Sequence, residues 1–240
     1  GIFPFYLPGS SERSQLAENP YSQDCIRLLN TTENHQIEPE VSLLFNVTYD
    51  NGQVVELHPI QAMAHNDCSI RRHGAKKISE KKNWGANSKG VAPTSIPLTS
   101  LEPSGTLDDY KLACYLIRDG VTHTYGAISW VKDYSYFHDT LLEWCVDRLN
   151  NQQDHGPLEH LHAYLEEMQH PPQICISIGA TRYTPFGENN FLKVDDVIYV
   201  ALYHADQYSD ADIEQHLINQ SSVPLPNTSI LTQVVIGPTS

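Results

Sequence analysis

Apolar and polar residues alternate from Val41 to Tyr49, which predicts a strand with one covered face. Asp50-Asn51-Gly52-Gln53 follows as a turn, because Asn-Gly tolerates the positive φ angles of a tight hairpin, and Val54 to His58 reads as the returning strand. A second hairpin is predicted from Tyr110 to Arg118, turning at Asp119-Gly120 and returning over Val121 to Val131. The period then changes. Leu141, Leu142, Cys145, Val146 and Leu149 mark an amphipathic helix from His138 to Leu149, and Leu158, Leu161, Leu165 and Met168 mark a second, ended by Pro171-Pro172. Ile174 to Ile178 and Val194 to Tyr203 are apolar runs suited to buried strands, with a turn-prone loop or short helix expected at Phe186 to Asn190. Ser209 caps a helix reaching about Asn219, with Asp210 and Asp212 in its first turn, where the helix dipole favours acids. Ile230 to Ile236 closes the series as a strand.

Two stretches lack such periodicity. The first forty residues are polar and proline-containing and read as an extension on the body, while residues 59–108, with Pro93, Pro97 and Pro103, read as a long loop region. Loops of that length inside a compact protein usually carry function. The element order predicts an α+β protein: a mixed β-sheet covered by helices in three layers over residues 109–240, preceded by an N-terminal β-hairpin lobe and a basic, proline-rich loop over residues 1–108.

Charge sharpens the picture of that loop. The 240-residue chain carries a net charge of -14, which argues against a generic binder of nucleic acid or anionic membrane. Yet Arg71, Arg72, Lys76, Lys77, Lys81, Lys82 and Lys89 supply seven of the fifteen basic residues within one window that holds Glu80 as its single acid. With Trp84 among them, they form a candidate partner-binding loop for the phosphate of a nucleotide or for an acidic protein surface. The same cations would equally serve to neutralise the protein's own acidic body.

Five cysteines (Cys25, Cys68, Cys114, Cys145 and Cys175) form no CxxC pair and are odd in number, so a complete intrachain disulfide scheme is excluded and a reducing residence is expected. No apolar run approaches the length of a transmembrane helix. The opening Gly-Ile-Phe-Pro lacks the charged start of a signal peptide, and Gly1 in place of Met reads as a processed end.

Two constellations could carry chemistry. His155, Glu159, His162 and Glu166 fall at offsets of four, three and four, which on one helix would align them as a metal-binding or acid/base stripe, against the alternative of a solvated helix face. The segment His155-Gly156-Pro157-Leu158-Glu159, followed by an amphipathic helix and the strand Ile174 to Ile178, resembles in element order the zinc-dependent cytidine deaminase superfamily. That resemblance implies a deaminase-like domain of toxin or effector type acting on a nucleotide or nucleic acid, with zinc held by His155 and His162 and protons shuttled by Glu159. The stretch Gly179 to Asn190 holds no cysteine pair, so the zinc site would be built differently here. The second constellation is Cys68, set in polar sequence beside Arg71 and Arg72, which would lower its pKa; with His123 downstream it suggests a Cys-His hydrolase or protein deamidase. A non-catalytic interaction module that docks through the basic loop is the third expectation.

Overall fold

The computed structural model describes residues 1–11, 14–219 and 223–239. In chain order the elements are α1 (Ser14–Ala17), β1 (Tyr21–Ser22), β2 (Cys25–Arg27), β3 (His35–Gln36), β4 (Pro39–Asp50), β5 (Gln53–Asn66), β6 (Ser69–Ile70), β7 (Lys89–Val91) and β8 (Ile96–Pro97). There follow β9 (Tyr110–Arg118), β10 (Val121–Trp130), α2 (His138–Asn151), α3 (Leu161–Glu167), β11 (Gln173–Ser177), α4 (Pro185–Asn189), β12 (Val197–His204), α5 (Asp210–Ile218) and β13 (Thr228–Ile236). Among the described residues the strands form a first sheet ordered β1-β7-β5-β4-β11 with β8 also on β5, a second ordered β10-β9-β12-β13-β2, and a small β3-β6 pair. The α+β class expected from the pattern therefore stands.

The long hairpin β4–β5 is the centre of the first sheet, and its alternation decides what faces where. Val41, Leu43 and Phe45 are fully buried and face the second sheet, where Leu112 and Leu116 of β9 and Val200 and Leu202 of β12 complete one apolar cluster. Burial of each such side chain is worth about 1.5–3 kcal/mol, so this layer dominates the stability of the fold. Strand β5 continues well past His58, the end expected from the pattern, to Asn66. A register shift between Leu44 and Phe45, opposite Pro59, lets the ladder pass a residue that has no N–H to donate. On the outer face of the second sheet, Tyr115, Tyr199 and Tyr203 pack with Ile213 and Leu217 of α5, whose capping box at Ser209 and Asp212 is formed as the sequence leads one to expect.

Three expectations are corrected. Strands after Tyr110 do not share one sheet: β11 joins the first, pairing antiparallel with β4 (Ser177 opposite Ser42, Cys175 opposite Leu44), while β9, β10, β12 and β13 form the second. Local periodicity predicts a strand but not its partner, which is set here by the path of the chain through α2 and α3. The second helix begins at Leu161, leaving His155 and Glu159 outside it, because Gly156 has a positive φ of 55° and Pro157 follows it in a turn. Finally, residues 59–108 are not one long loop but carry the end of β5 together with β6, β7 and β8, while Phe186 to Asn190, read as a loop or short helix, forms a short helix capped by the Thr184 hydroxyl accepting from the Gly187 N–H.

Candidate active site

The site grows from the open end of the β4–β5 ladder. Pro39 lies opposite Asn66 and Glu40 opposite His65, and the Asp67 N–H donates to the Glu38 carbonyl at 2.9 Å, so Glu38 and Asp67 face one another where the two strands part. Glu38 and Glu40 are two residues apart in the alternation and turn to the same side. One carboxylate oxygen from each of Glu38, Glu40 and Asp67 lies within 4.8 Å of the others, and all three residues are buried. Among the described residues this is the group of three or more His, Cys, Asp or Glu side chains that could hold a metal ion.

Three cations from the basic window converge on these acids. Lys82 follows a 3-10 turn at Ser79–Lys81 and places its ammonium between Glu38 Oε2, at 2.5 Å, and Asp67 Oδ2. Lys89 opens β7, is fully buried, pairs with Asp67 Oδ1 at 3.0 Å and donates to the Cys68 carbonyl. Arg71 meets Glu38 Oε1 at 2.5 Å and is steadied by the Gln36 side chain at 2.6 Å and the Tyr183 hydroxyl at 2.8 Å. Close passage of β7 depends on Gly90, where a Cβ would run into the Gln233 amide.

Burial sets the titration of the cluster, and the charges then divide it. Burial raises the Glu40 carboxyl well above its ordinary value, and the neighbouring Asp67 charge raises it further. Burial also opposes ionisation of Asp67, but Lys89 and Lys82 overcome it and bring its pKa down to about 2. Lys82 loses solvation on burial and regains more from Asp67 and Glu38, ending well above its usual value; Lys89, sealed completely, is lowered by that burial. His65, behind the cluster and stacked on Phe5 with ring centroids 5.9 Å apart, is lowered by burial to about 4 and stays neutral.

An oxygen-only donor set of this kind suits hard cations such as Mg²⁺, Mn²⁺ or Ca²⁺. The residues fit such an ion: an ammonium already bridges two of the three carboxylates, and the third is pushed by burial toward its protonated form, a push that a divalent charge would oppose. The cluster forms one wall of a cavity of about 1020 Å³, which also receives Ser69, α2, α3, β11 and the segment Gly1 to Pro8.

The candidates suggested by the sequence are distributed differently. His155 is exposed in the turn before α3; Glu159 is buried and accepts hydrogen bonds from the Ser79 hydroxyl at 3.0 Å and the Tyr164 hydroxyl at 3.3 Å; His162 lies on α3, 3.5 Å from Glu166 and 3.4 Å from the Gln53 amide. They form no joint metal cluster, because the turn at Gly156 breaks the helical stripe on which that reading rested. Cys68 is fully buried, its thiol pushed up to about 12 by burial, which outweighs the nearby Lys89. His123 stacks on Phe186 at 4.0 Å. Of the basic window, Arg71 and Lys82 turn to the acids, Lys77 pairs with Asp154 at 2.6 Å, Arg72 donates to the Glu80 carbonyl, and Trp84 donates to the Arg27 carbonyl while packing on His35. Lys76 bonds through its N–H to Glu80, and Lys81 lines the cavity. Five of the seven basic residues, Arg71, Arg72, Lys77, Lys82 and Lys89, thus lie within 4.0 Å of carboxylates of the same chain. Sequence reasoning missed Glu38, Glu40 and Asp67; the signal was Glu38-Pro39-Glu40, two acids at period two just ahead of the apolar residues Val41, Leu43, Leu44 and Phe45.

A family model described as "Family of unknown function (DUF5718)" matches residues 1–235. No curated protein matches the sequence. Among solved structures, the chain is similar to a maleylpyruvate hydrolase from Sphingobium sp. SYK-6, with 8% identity and a TM-score of 0.50 over 91% of this chain and 60% of that one. It is also similar to a 2-keto-3-deoxyarabinonate dehydratase (13% identity, TM-score 0.43, 92% of this chain and 57% of that one). A probable 2-hydroxyhepta-2,4-diene-1,7-dioate isomerase from Mycobacterium abscessus is similar at 11% identity and a TM-score of 0.48, over 92% of this chain and 67% of that one. The chain thus spans 57% and 60% of the dehydratase and the hydrolase. The likeness in fold to the maleylpyruvate hydrolase overturns the expected likeness to cytidine deaminases and with it the deaminase-like toxin or effector. The Cys-His hydrolase and the non-catalytic docking module gain no support either.

Proposed function

For a chain that belongs to the DUF5718 family and carries this buried cluster, we propose a divalent-cation-dependent enzyme that acts beside the carbonyl of a small oxo acid, by hydrolysis, isomerisation or dehydration. The observation that carries the reading is the convergence of Glu38, Glu40 and Asp67 on the wall of a deep cavity. The similarity in fold to a maleylpyruvate hydrolase supports it, since that protein's name places its chemistry on an oxo acid.

Glu38, Glu40 and Asp67 would hold the ion, which when bound supplies a Lewis acid for a carbonyl oxygen. The remaining work falls to the chain. With all three carboxylates ionised they balance Lys82, Lys89 and Arg71, so the two charges of a bound divalent ion are left to be met by an anionic ligand. Arg71 and Lys82 face the cavity and give a substrate carboxylate its cationic rim, Arg71 with the planar fork suited to a carboxylate. Lys89, inside the wall, orients Asp67 through their ion pair. Gln36 and Tyr183 fix the guanidinium, and Tyr183 in turn donates to the Ile37 carbonyl at 2.8 Å. Apolar α2 and α3 side chains exclude water from the far side, which strengthens each of these interactions.

Calorimetric titration with Mn²⁺ or Mg²⁺ in buffers of different ionisation enthalpy tests the reading directly. One site with net proton release is expected, lost in Glu40→Gln. Exchange of C3 protons of 2-oxobutanoate for deuterium, followed by NMR, should then depend on the ion. Absence of ion binding in the unaltered protein would sink the proposal.

A further inference from the structure

The cavity is far larger than the polar cluster needs. Pockets of 300–1,000 Å³ typically enclose a drug-sized ligand, and this one, at about 1020 Å³, extends well beyond the carboxylates. Its floor is the outer face of β4, where Glu40 and Leu44 line the cavity with the buried Ser42 between them, while Val41, Leu43 and Phe45 turn into the core. At about 3.4 Å per residue, Leu44 lies roughly 14 Å along the strand from Glu40. Between them, the Ser42 and Ser177 hydroxyls bond to one another at 2.8 Å and so make little demand on a passing ligand. Beyond that pair the lining is largely apolar, with Leu44, Leu141, Trp144, Leu165, Met168 and Ile174 and the polar Gln173. One end is charged and holds Arg71 and Lys82; the other offers hydrocarbon.

We infer that the cavity binds an amphipathic acid, with its oxo-carboxylate head at Glu38, Glu40, Asp67 and Arg71 and an unbranched apolar tail laid along β4 toward Leu44. The inference rests on the proposed oxo-acid chemistry for its head group and adds the tail. A short oxo diacid would fill only the charged end, leaving the apolar walls of α2 and α3 against water. Cys175, directly across the ladder from Leu44, lies on the same cavity wall; it is solvent-exposed although closely surrounded, with its thiol beside the Ser42 and Tyr21 hydroxyls.

Titration of a series from 2-oxobutanoate to 2-oxodecanoate in saturating Mn²⁺ reads the tail separately from the head. Affinity should rise about fourfold for each methylene buried, levelling when the tail reaches Leu44. Cys175→Phe should weaken 2-oxodecanoate at least tenfold and leave 2-oxobutanoate unchanged; the series on the unaltered protein stands without that variant. Equal affinity along the series, with Mn²⁺-dependent binding of 2-oxobutanoate, would overturn the tail while leaving the proposed chemistry intact. Failure of Mn²⁺ and of every 2-oxo acid to bind would overturn the chemistry itself, and the tail with it.

Discussion

Glu40 and His65 are cross-strand neighbours that burial drives in opposite directions, each toward its neutral form. The His65 pKa is lowered to about 4 from 6.5, so the unfolded chain binds the proton that the folded chain refuses. Its contribution to stability is therefore whole above pH 6.5 and is lost as pH falls from 6.5 toward 4, to the extent of about 3 kcal/mol at most. Glu40, raised on folding, works in the reverse sense at the same acid end. Urea unfolding at pH 7, 5.5 and 4 should show a steeper acid loss in the unaltered protein than in His65→Phe, and identical slopes would remove His65 from the account. Thiols separate as cleanly. Iodoacetamide at pH 8 should modify the half-buried Cys25 first in the folded protein and the exposed Cys175 more slowly, its thiol being pushed up to about 11 by burial, while Cys68, Cys114 and Cys145 are sealed and their thiols raised by burial. Peptide mapping that finds Cys68 alkylated first would contradict this.

At the level of elements, β4 does two jobs with its two faces. Leu43→Ala opens a hole between the sheets and should cost about 2–5 kcal/mol in denaturant unfolding, whereas Leu44→Ala, on the cavity face, should cost clearly less. Strand β7 is held close by Gly90, so Gly90→Ala should displace Lys89 and weaken Mn²⁺ binding, an effect visible by calorimetry even where the fold survives. Ser209→Ala removes the capping box of α5 on the opposite side of the molecule and should cost about 1 kcal/mol with ion binding unchanged. A change in ion affinity there would argue that the two sheets are coupled in a way that distance does not suggest.

For the molecule as a whole, an ion that binds only the folded state must stabilise it. At a concentration one hundred times its dissociation constant, Mn²⁺ should add about 2.7 kcal/mol and raise the melting temperature, measurably so by scanning calorimetry; Glu40→Gln should show no such rise. What the sequence determined unaided was local: both hairpins, the amphipathic helices, the Ser209 cap and the α+β class, since turn chemistry and periodicity act between residues a few positions apart. The basic window was visible too, and so was its alternative role in neutralising acids of the same chain. Which strands share a sheet, and which acids meet, lay beyond that range. Glu38, Glu40 and Asp67 come together because the hairpin folds back on itself, and Lys89 and β11 arrive from distant segments to close the site. Only tertiary packing chose those partners, because the free energy that selects them is the burial of apolar faces between sheets, a quantity that no short stretch of sequence contains.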